Sequence, residues 1–235
     1  RTYYSFLAAD RIGNRYQLTH LPLNAPASEL SQLQHIPAIA RAGELYQLKR
    51  IVKARREWHY AIQRMDKKQL LKAAQLANKW GWHDRSIITL ALAQHWDDLE
   101  IRFPLAHKKD IEKQADKENI NPAWAFAVIR QESAFTADAR STAGAPGLMQ
   151  LMPHTAELYG VFDLYSPLKN LDAGVRHLRY LLRRYKNRLS IALAAYNAGE
   201  TAVRYYNGIP PYRETRRYIK KVIQYQSYYK DQYQL

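Results

Sequence analysis

The 235-residue sequence contains no cysteine, which excludes disulfide bonds, thiolate metal sites and thiol nucleophiles. Its 9 glycines and 10 prolines are too few for a linker-rich or collagen-like chain. No apolar run approaches the roughly 20 residues that span a bilayer as a helix. Calcium loops, zinc-binding His-Glu-x-x-His helices and phosphate-binding glycine loops are also missing. The sequence therefore predicts no membrane span, no metal site and no cofactor.

Acidic residues are scarce beside basic ones. The chain has 36 Lys and Arg against 21 Asp and Glu, a formal net charge of +15. Such a surface favours nucleic acid, anionic lipid or an acidic cell-wall polymer, and charge alone does not choose among them. Two basic clusters stand out, and each is either a solvated helix face or a surface that retains the protein on an anionic polymer. They are Arg176, Arg179, Arg183, Arg184, Lys186 and Arg188, and then Arg216, Arg217, Lys220 and Lys221.

Apolar residues recur with the 3.6-residue period of a helix along most of the chain, and strand-like alternation is hard to find. The pattern predicts helices over residues 36–48, 51–65, 67–80 and 84–95, and an amphipathic stripe over 175–185. It also predicts a short helix from Pro153 to Gly160, a helix over residues 191–198 with Ser190 as its N-cap, and a last helix over residues 214–229. The aromatic run at residues 80–83 (Trp-Gly-Trp-His) is typical either of core packing at a helix turn or of a sugar platform. Pro104 ends a segment, so we expect two units, residues 1–105 and 106–235.

Glu132 lies where a carboxylate is costly. Asn121 and Pro122 form an N-cap and a first-turn proline, which predicts a helix over residues 122–132. On that helix Glu132 shares one face with apolar residues at i−7, i−4 and i−3. If this face is buried, the carboxyl group loses water and its pKa rises, as a general acid requires. The alternative is an exposed carboxylate paired with Arg130 or Arg140.

Three separated motifs resemble those of the lytic transglycosylases of the goose-lysozyme-like superfamily. The first joins residues 130–133 (Arg-Gln-Glu-Ser) to Ser141 and residues 144–150 (Gly-Ala-Pro-Gly-Leu-Met-Gln). The second is 194–199 (Ala-Ala-Tyr-Asn-Ala-Gly) and the third is 209–218 (Ile-Pro-Pro-Tyr-Arg-Glu-Thr-Arg-Arg-Tyr). Upstream, residues 7–13 and 98–104 resemble the end of the superhelix and the linker domain of the soluble members.

The resemblance implies an all-α protein: the end of a helical array and a linker domain, then a lysozyme-like (goose-type) α-helical catalytic domain with at most a minimal β-element near residues 141–152. It further implies cleavage between N-acetylmuramic acid and N-acetylglucosamine in peptidoglycan, forming a 1,6-anhydro sugar without water. One carboxyl group serves as acid and then base, while the substrate's N-acetyl group assists. The implied residues are the catalytic Glu132 and a substrate-binding set: Ser141, Gln150, Met152, Tyr196, Asn197 and Glu214.

Two of these residues have structural alternatives, because Met152 also suits a core position and Tyr196 a buried ring with a bonded hydroxyl. The chain departs from the family at residues 200–202 (Glu-Thr-Ala), where many relatives have Pro-Gly-Arg. His107, His154 and His177 are interpreted as surface or supporting groups rather than metal ligands.

Three functions remain as hypotheses: a lytic transglycosylase, a muramidase that uses water, and a non-catalytic module that binds murein or nucleic acid. The breaks around residues 207–211 do not resemble a helix-turn-helix, so nucleic acid is not the expected partner. We expect peptidoglycan strands and their stem peptides as partners, a periplasmic location and a monomer. The chain opens with Arg1, so we also expect a processed product or a piece of a longer protein.

Overall fold

The computed structural model of the chain describes residues 20–233 and is built from α-helices. Within that range the only β feature is an isolated antiparallel bridge between Arg140 and Pro146. The predicted all-α fold with a minimal β-element near the 141–152 loop is therefore confirmed. The run at residues 7–13 lies outside the described residues. The contacts divide the chain into two compact units, Arg1–Arg102 and Phe103–Leu235.

The described part of the first unit consists of paired helices. In chain order they are α1 (Ala27–Gln34), α2 (Pro37–Gln47), α3 (Ile51–Ile62), α4 (Lys67–Lys79), α5 (His83–Leu92) and α6 (Leu99–Arg102). Helix α2 packs on α3, and α4 packs on α5. Asp66 starts α4 with a capping box, in which its side chain accepts from the Gln69 backbone and the Gln69 side chain accepts from the Asp66 backbone.

The core of the first unit is centred on tryptophans. Trp58 and Trp82 are almost fully buried, and their rings meet edge-on with centroids 5.6 Å apart. The Trp58 indole donates a hydrogen bond of 3.0 Å to Thr89 Oγ1, so its one polar atom is satisfied. Tyr46 stacks on Trp82 at 4.5 Å. Trp82 therefore belongs to the core and the half-buried Trp80 packs against it, which favours the core-packing alternative for the run at residues 80–83.

The second unit contains the longer helices. They are α7 (Lys108–Lys117), α8 (Pro122–Glu132), α9 (Pro153–Glu157), α10 (Pro167–Arg184), α11 (Leu189–Ala198), α12 (Glu200–Tyr205) and α13 (Arg213–Tyr233). Helix α8 packs along α13, and α11 contacts α10, α12 and α13. None of the helices within residues 20–233 is both long enough and apolar enough to cross a membrane.

Helix α8 is the most deeply buried element of the second unit. Six of its residues are buried, including Phe126 and Ala127 on the side away from the predicted apolar face. The Phe126 ring stacks on Tyr229 of α13 with centroids 5.1 Å apart. Burial on all sides anchors α8 firmly, so its C-terminal end occupies a well-defined position.

Helices α1, α6, α7 and α12 were not predicted from periodicity. Helix α7 buries only Ile111 and Ala115, and α6 and α12 are too short to show a period. The predicted capping role of Ser190 is wrong, because α11 starts at Leu189, two residues before the predicted start, with Arg188 at the N-cap. Ser190 therefore lies in the first turn of the helix.

Candidate active site

Glu132 is the last residue of α8, and the helix ends there for local reasons. The Ser133 hydroxyl donates back to the Ile129 carbonyl at 3.3 Å, and this carbonyl also accepts from the Ser133 backbone. The next two residues, Ala134 and Phe135, have positive φ angles of 50° and 66°. The chain therefore leaves the helix sharply. Glu132 stays half-buried on a face whose other members, Ala125, Val128 and Ile129, are fully buried.

Burial raises the pKa of the Glu132 carboxyl group to about 7. The negative charge of Glu214 raises it further, whereas Tyr218 lowers it by interacting with the carboxylate form. Glu132 forms no ion pair with any other described residue. Arg130 instead lies over the rings of Phe103 and Tyr225, and Arg140 is exposed. The structure thus favours a carboxyl group that is half protonated near neutrality over an exposed, ion-paired carboxylate.

Tyr218 of α13 interacts with Glu132, although the sequence did not single it out. Its side chain is 4% exposed, and its pKa is raised well above the usual range by burial and by the charge of Glu132. Its hydroxyl makes no hydrogen bond of regular geometry within the described residues, and its effect on Glu132 is to lower the pKa of the carboxyl group. The signal was its spacing, because Glu214 and Tyr218 are four residues apart and share one face of α13.

Tyr196 of α11 contributes a second tyrosine to the site. Its hydroxyl donates to the Met149 carbonyl at 2.9 Å, and its ring lies 5.5 Å from the His177 ring. Burial and the charge of Glu132 raise the pKa of Tyr196 well above its usual range. The bonded hydroxyl matches the structural alternative for this residue, and the electrostatic coupling also places Tyr196 beside the acid.

The glycine-containing loop at residues 141–152 is held by its own side chains. Ser141 Oγ accepts from the Ala145 backbone at 3.0 Å, and Gln150 Nε2 donates to the Gly147 carbonyl at 2.7 Å. Gly147 has φ +81°, and a Cβ atom there would overlap Asn170 Nδ2 and the Leu164 carbonyl. This position therefore requires glycine. Ser141 and Gln150 shape the loop, and neither hydrogen-bonds to Glu132.

Asn170 of α10 is the residue that fastens this loop to the domain. Its side chain is fully buried, and its Nδ2 donates to the carbonyls of Pro146 and Leu164, each at 3.0 Å. Its Oδ1 accepts from the Met149 backbone at 2.8 Å. Sequence reasoning missed Asn170, although a polar residue on the apolar face of an amphipathic helix is the signal that could have found it.

The remaining predicted residues occupy different places. Asn197 Oδ1 accepts from Thr215 Oγ1 at 2.8 Å, which ties the end of α11 to the start of α13. Glu214 is exposed, and its negative charge raises the pKa of Glu132. Met152 is half-buried at the N-cap of α9 and makes no hydrogen bond to Glu132. The structure thus brings Tyr196, Glu214 and the unpredicted Tyr218 to the carboxyl group.

His177 packs against Tyr196. Burial lowers the pKa of His177 to about 4, so the ring is neutral at physiological pH, and its Nδ1 lies 3.1 Å from the Tyr159 hydroxyl. Its packing against Tyr196 is that of a supporting group. Within residues 20–233, no group of three His, Asp or Glu side chains is arranged to hold a metal ion.

The geometry defines a lysozyme-like α-helical domain whose site contains one half-buried carboxyl group with a raised pKa, the buried Tyr218 and the half-buried Tyr196. Residues 109–219 match the model of the transglycosylase SLT domain, and residues 32–99 match the soluble lytic murein transglycosylase L domain. The chain therefore belongs to the soluble lytic murein transglycosylase family.

Curated relatives and solved structures agree with this assignment. A soluble lytic murein transglycosylase of Salmonella typhimurium is 33% identical over 98% of this chain. An inactive glutamate-to-glutamine mutant of the lytic transglycosylase Slt of Pseudomonas aeruginosa superimposes with a TM-score of 0.88 at 34% identity over 98% of the chain. The 70-kDa soluble lytic transglycosylase in complex with bulgecin A gives 0.86 at 32% identity over the same share. The chain spans 39% of the Salmonella protein and 41% of each of these two structures.

The role of Asn170 in the loop predicts the effect of Asn170→Ala. The substitution leaves two carbonyls and one backbone N–H buried without partners, so we expect the free energy of unfolding to fall by about 2–4 kcal/mol. Denaturant titration measures the change. Lys169→Ala, an exposed neighbour on the same helix, is the control and should cost less than about 1 kcal/mol. Equal midpoints for parent and Asn170→Ala would contradict the proposed role.

The raised pKa of Glu132 makes a prediction about stability. The folded protein binds this proton more tightly than the unfolded chain, so the carboxyl group's contribution to stability is present below about pH 4.5 and is lost as the pH rises through about 7. A glutamine at this position does not titrate. We expect Glu132→Gln to gain stability over the parent across this interval, by up to about 3 kcal/mol, less where water screens the half-buried side chain. Melting curves at pH 4.5 and pH 8 test this, and a pH-independent difference would contradict it.

Proposed function

We propose that this chain is the linker and catalytic part of a lytic transglycosylase that cleaves peptidoglycan glycan strands without water. The bond cleaved is the β-1,4 linkage between N-acetylmuramic acid and N-acetylglucosamine, and the product carries 1,6-anhydro-N-acetylmuramic acid. In this proposal residues 1–105 form the end of the superhelix and the linker domain. Residues 106–235 form the catalytic domain.

The carboxyl group of Glu132, with its pKa raised to about 7, is the observation that carries the proposal. At neutral pH a substantial fraction is protonated and can donate to the glycosidic oxygen as the C1–O bond breaks. The resulting carboxylate then accepts the proton of the muramic acid C6 hydroxyl while that oxygen bonds to C1. Glu132 therefore regains the proton that it donated, and it ends the cycle protonated.

A single catalytic carboxylate is sufficient in this scheme. The acetamido group of the substrate assists at C1, as in substrate-assisted glycosidases, so no second carboxylate needs to attack. Glu214 is the other acid near Glu132, and it is exposed. Its charge raises the pKa of Glu132, so its role is to keep the acid protonated rather than to act as a nucleophile.

One solved neighbour and two curated relatives support these roles. One solved neighbour is an inactive mutant in which glutamate is replaced by glutamine, which is the behaviour expected of a family with one essential acid. The curated relatives are named soluble lytic murein transglycosylases. These names describe proteins more than twice as long as this chain, and we extend the activity to this chain as part of the proposal.

The other motif residues are proposed to hold the substrate. Ser141, Gln150 and Met152 would line the sugar subsites from the glycine-containing loop, with Tyr196 and Asn197 beside the acid. The backbone N–H and C=O groups of the loop have a defined geometry because Asn170 fastens it. Hydroxyl and amide groups in such a loop suit the N-acetyl and hydroxyl groups of the sugars.

The basic clusters are proposed to retain the protein on murein. Arg183 and Arg184 near the end of α10 are exposed, as are Arg216 and Arg217 on α13. Stem peptides carry carboxylates, as do lactyl groups from which the stem peptide has been removed, and these cations can attract both. The proposed place of action is accordingly the periplasm, where murein is found.

The proposed acid predicts the behaviour of Glu132→Gln. We expect the variant to fold and bind murein while its turnover falls by about 10³-fold or more, because the sole proton donor and acceptor is gone. Release of soluble fragments from purified murein measures turnover, and co-sedimentation measures binding.

Glu157→Gln is the matched control, since Glu157 is an exposed glutamate at the end of α9. It should digest murein at the parent rate. Digestion by Glu132→Gln at a similar rate would contradict the assigned role. A parent protein that binds murein without cleaving it would identify a non-catalytic binding module instead.

The non-hydrolytic step predicts the mass of the products. We expect every terminal muramic acid released by the parent protein to lack one water relative to the product of hydrolysis, because the C6 oxygen replaces water at C1. Mass spectrometry of digested murein separates the two outcomes. Recovery of reducing-end muramic acid alone would identify a muramidase and contradict the transglycosylase proposal.

A further inference from the structure

Three tyrosines form an exposed aromatic surface outside the residues that surround Glu132. Tyr205, Tyr206 and Tyr212 are 81%, 41% and 45% exposed. The rings of Tyr205 and Tyr206 meet edge-on with centroids 4.8 Å apart, and those of Tyr206 and Tyr212 do so at 5.6 Å. Single exposed aromatic residues are common on protein surfaces, whereas three in mutual contact mark an interaction surface. We call these three residues the tyrosine surface.

The contacts within the tyrosine surface hold its rings in place before any ligand arrives. Tyr206 and Tyr212 also interact through their hydroxyl groups, which raises the pKa of Tyr212. Tyrosine has few side-chain rotamers and combines an apolar ring with a polar tip, so it binds at a low cost in conformational entropy. Edge-to-face packing leaves ring faces exposed to solvent. An exposed ring face can pack against a ligand that has a flat apolar face with hydroxyl groups around its edge.

The tyrosine surface lies on a segment that starts and ends at the active site. Helix α12 follows directly after Asn197 and Gly199, and α13 begins with Arg213 and Glu214. The Asn197–Thr215 hydrogen bond of 2.8 Å closes the segment at its base. Helix α12 has six residues, or about 9 Å at 1.5 Å per residue. A polymer lying across the site can therefore reach the tyrosine surface without leaving the domain.

Exposed cations flank the three rings. Arg204 precedes Tyr205 and Arg213 follows Tyr212, and both are exposed. Neither forms an ion pair with another residue in the described part of the chain. Tyrosine and arginine together are the residue types most enriched where protein surfaces bind partners strongly. In this protein the tyrosine rings can pack against an uncharged polymer backbone, and the two arginines can attract anionic groups attached to that backbone.

We infer that the tyrosine surface is an accessory binding site for the sugar rings of a peptidoglycan glycan strand, adjoining the cleft in which the bond is cleaved. This inference rests on the proposed function, since that function identifies the polymer. The C–H faces of pyranose rings pack on the tyrosine rings, and the lactyl carboxylates that are free where a stem peptide has been removed face Arg204 and Arg213. The site holds the strand while the bond at Glu132 is cleaved, and it takes part in no bond-making step.

The experiment measures binding in the Glu132→Gln background, so that the strand is not consumed. The probe is insoluble murein from which the stem peptides have been removed, leaving bare glycan. We expect Tyr205→Ala combined with Tyr212→Ala to weaken co-sedimentation about tenfold or more. The matching pair of Phe substitutions, which keeps the ring faces, should stay within about threefold of the parent.

Tyr165→Ala is the matched control, because Tyr165 is 51% exposed in the same unit and lies outside the tyrosine surface. It should bind the glycan as the parent does. Melting curves confirm that each variant is folded. The inference is overturned if the Ala pair binds bare glycan as tightly as the Tyr165→Ala control. It is also overturned if the loss appears only with murein that still carries stem peptides, since a peptide would then be the occupant.

The two proposals fail separately. If the parent protein cleaves murein but the Ala pair binds bare glycan normally, the tyrosine surface is not a glycan site and the proposed function stands. If the parent protein releases no fragments from murein and the Ala pair still loses glycan binding, the surface is confirmed and the catalytic proposal is wrong.

Discussion

Desolvation of one carboxyl group is the constraint on which the second unit depends. Glu132 stands at the end of a helix whose other inward residues are fully buried, and burial raises its pKa to about 7. A charged form in that position is unfavourable, so the protein bears a stability cost that increases with pH. Tyr218 limits this cost by favouring the carboxylate form, whereas the negative charge of Glu214 increases it. These opposing effects together set the pKa of Glu132 near neutrality.

The rest of the domain holds the groups of this balance in position. Helix α8 is packed on all sides, which fixes the place where the carboxyl group emerges. Asn170 fastens the glycine-containing loop through both ends of its amide. The loop in turn presents the Met149 carbonyl to the Tyr196 hydroxyl. A chain of hydrogen bonds thus links α10, the loop and α11, and that chain ends at a ring coupled to Glu132. Precise support of this kind is what the proposed acid/base role of Glu132 requires.

The site is surrounded by surfaces of different character. Exposed arginines and lysines occupy the outer faces of α10 and α13, while the tyrosine surface lies on the segment closed by Asn197 and Thr215. A long polymer with a sugar backbone and anionic side groups matches both features at once. Long-range charge raises the local concentration of such a polymer, and short-range ring contacts align it. The net positive charge alone could not identify the ligand, because charge attracts any anionic polymer and only the ring contacts distinguish a sugar backbone.

The sequence by itself determined the helical class, the helix over residues 122–132 with its Asn121 cap, and the family, because these depend on local periodicity, capping chemistry and motif order. The Trp-Gly-Trp-His run, Ser190, Tyr218 and Asn170 show where local reasoning ends. Periodicity could not say whether two tryptophans pack inward, and a short polar helix such as α7 buries too few residues to show a period. Only the tertiary structure decided that Glu132 is desolvated, that Tyr218 meets it, and that Asn170 closes the loop. Each of these depends on side chains from helices distant in sequence, and both burial and hydrogen-bond geometry are set by how those helices pack.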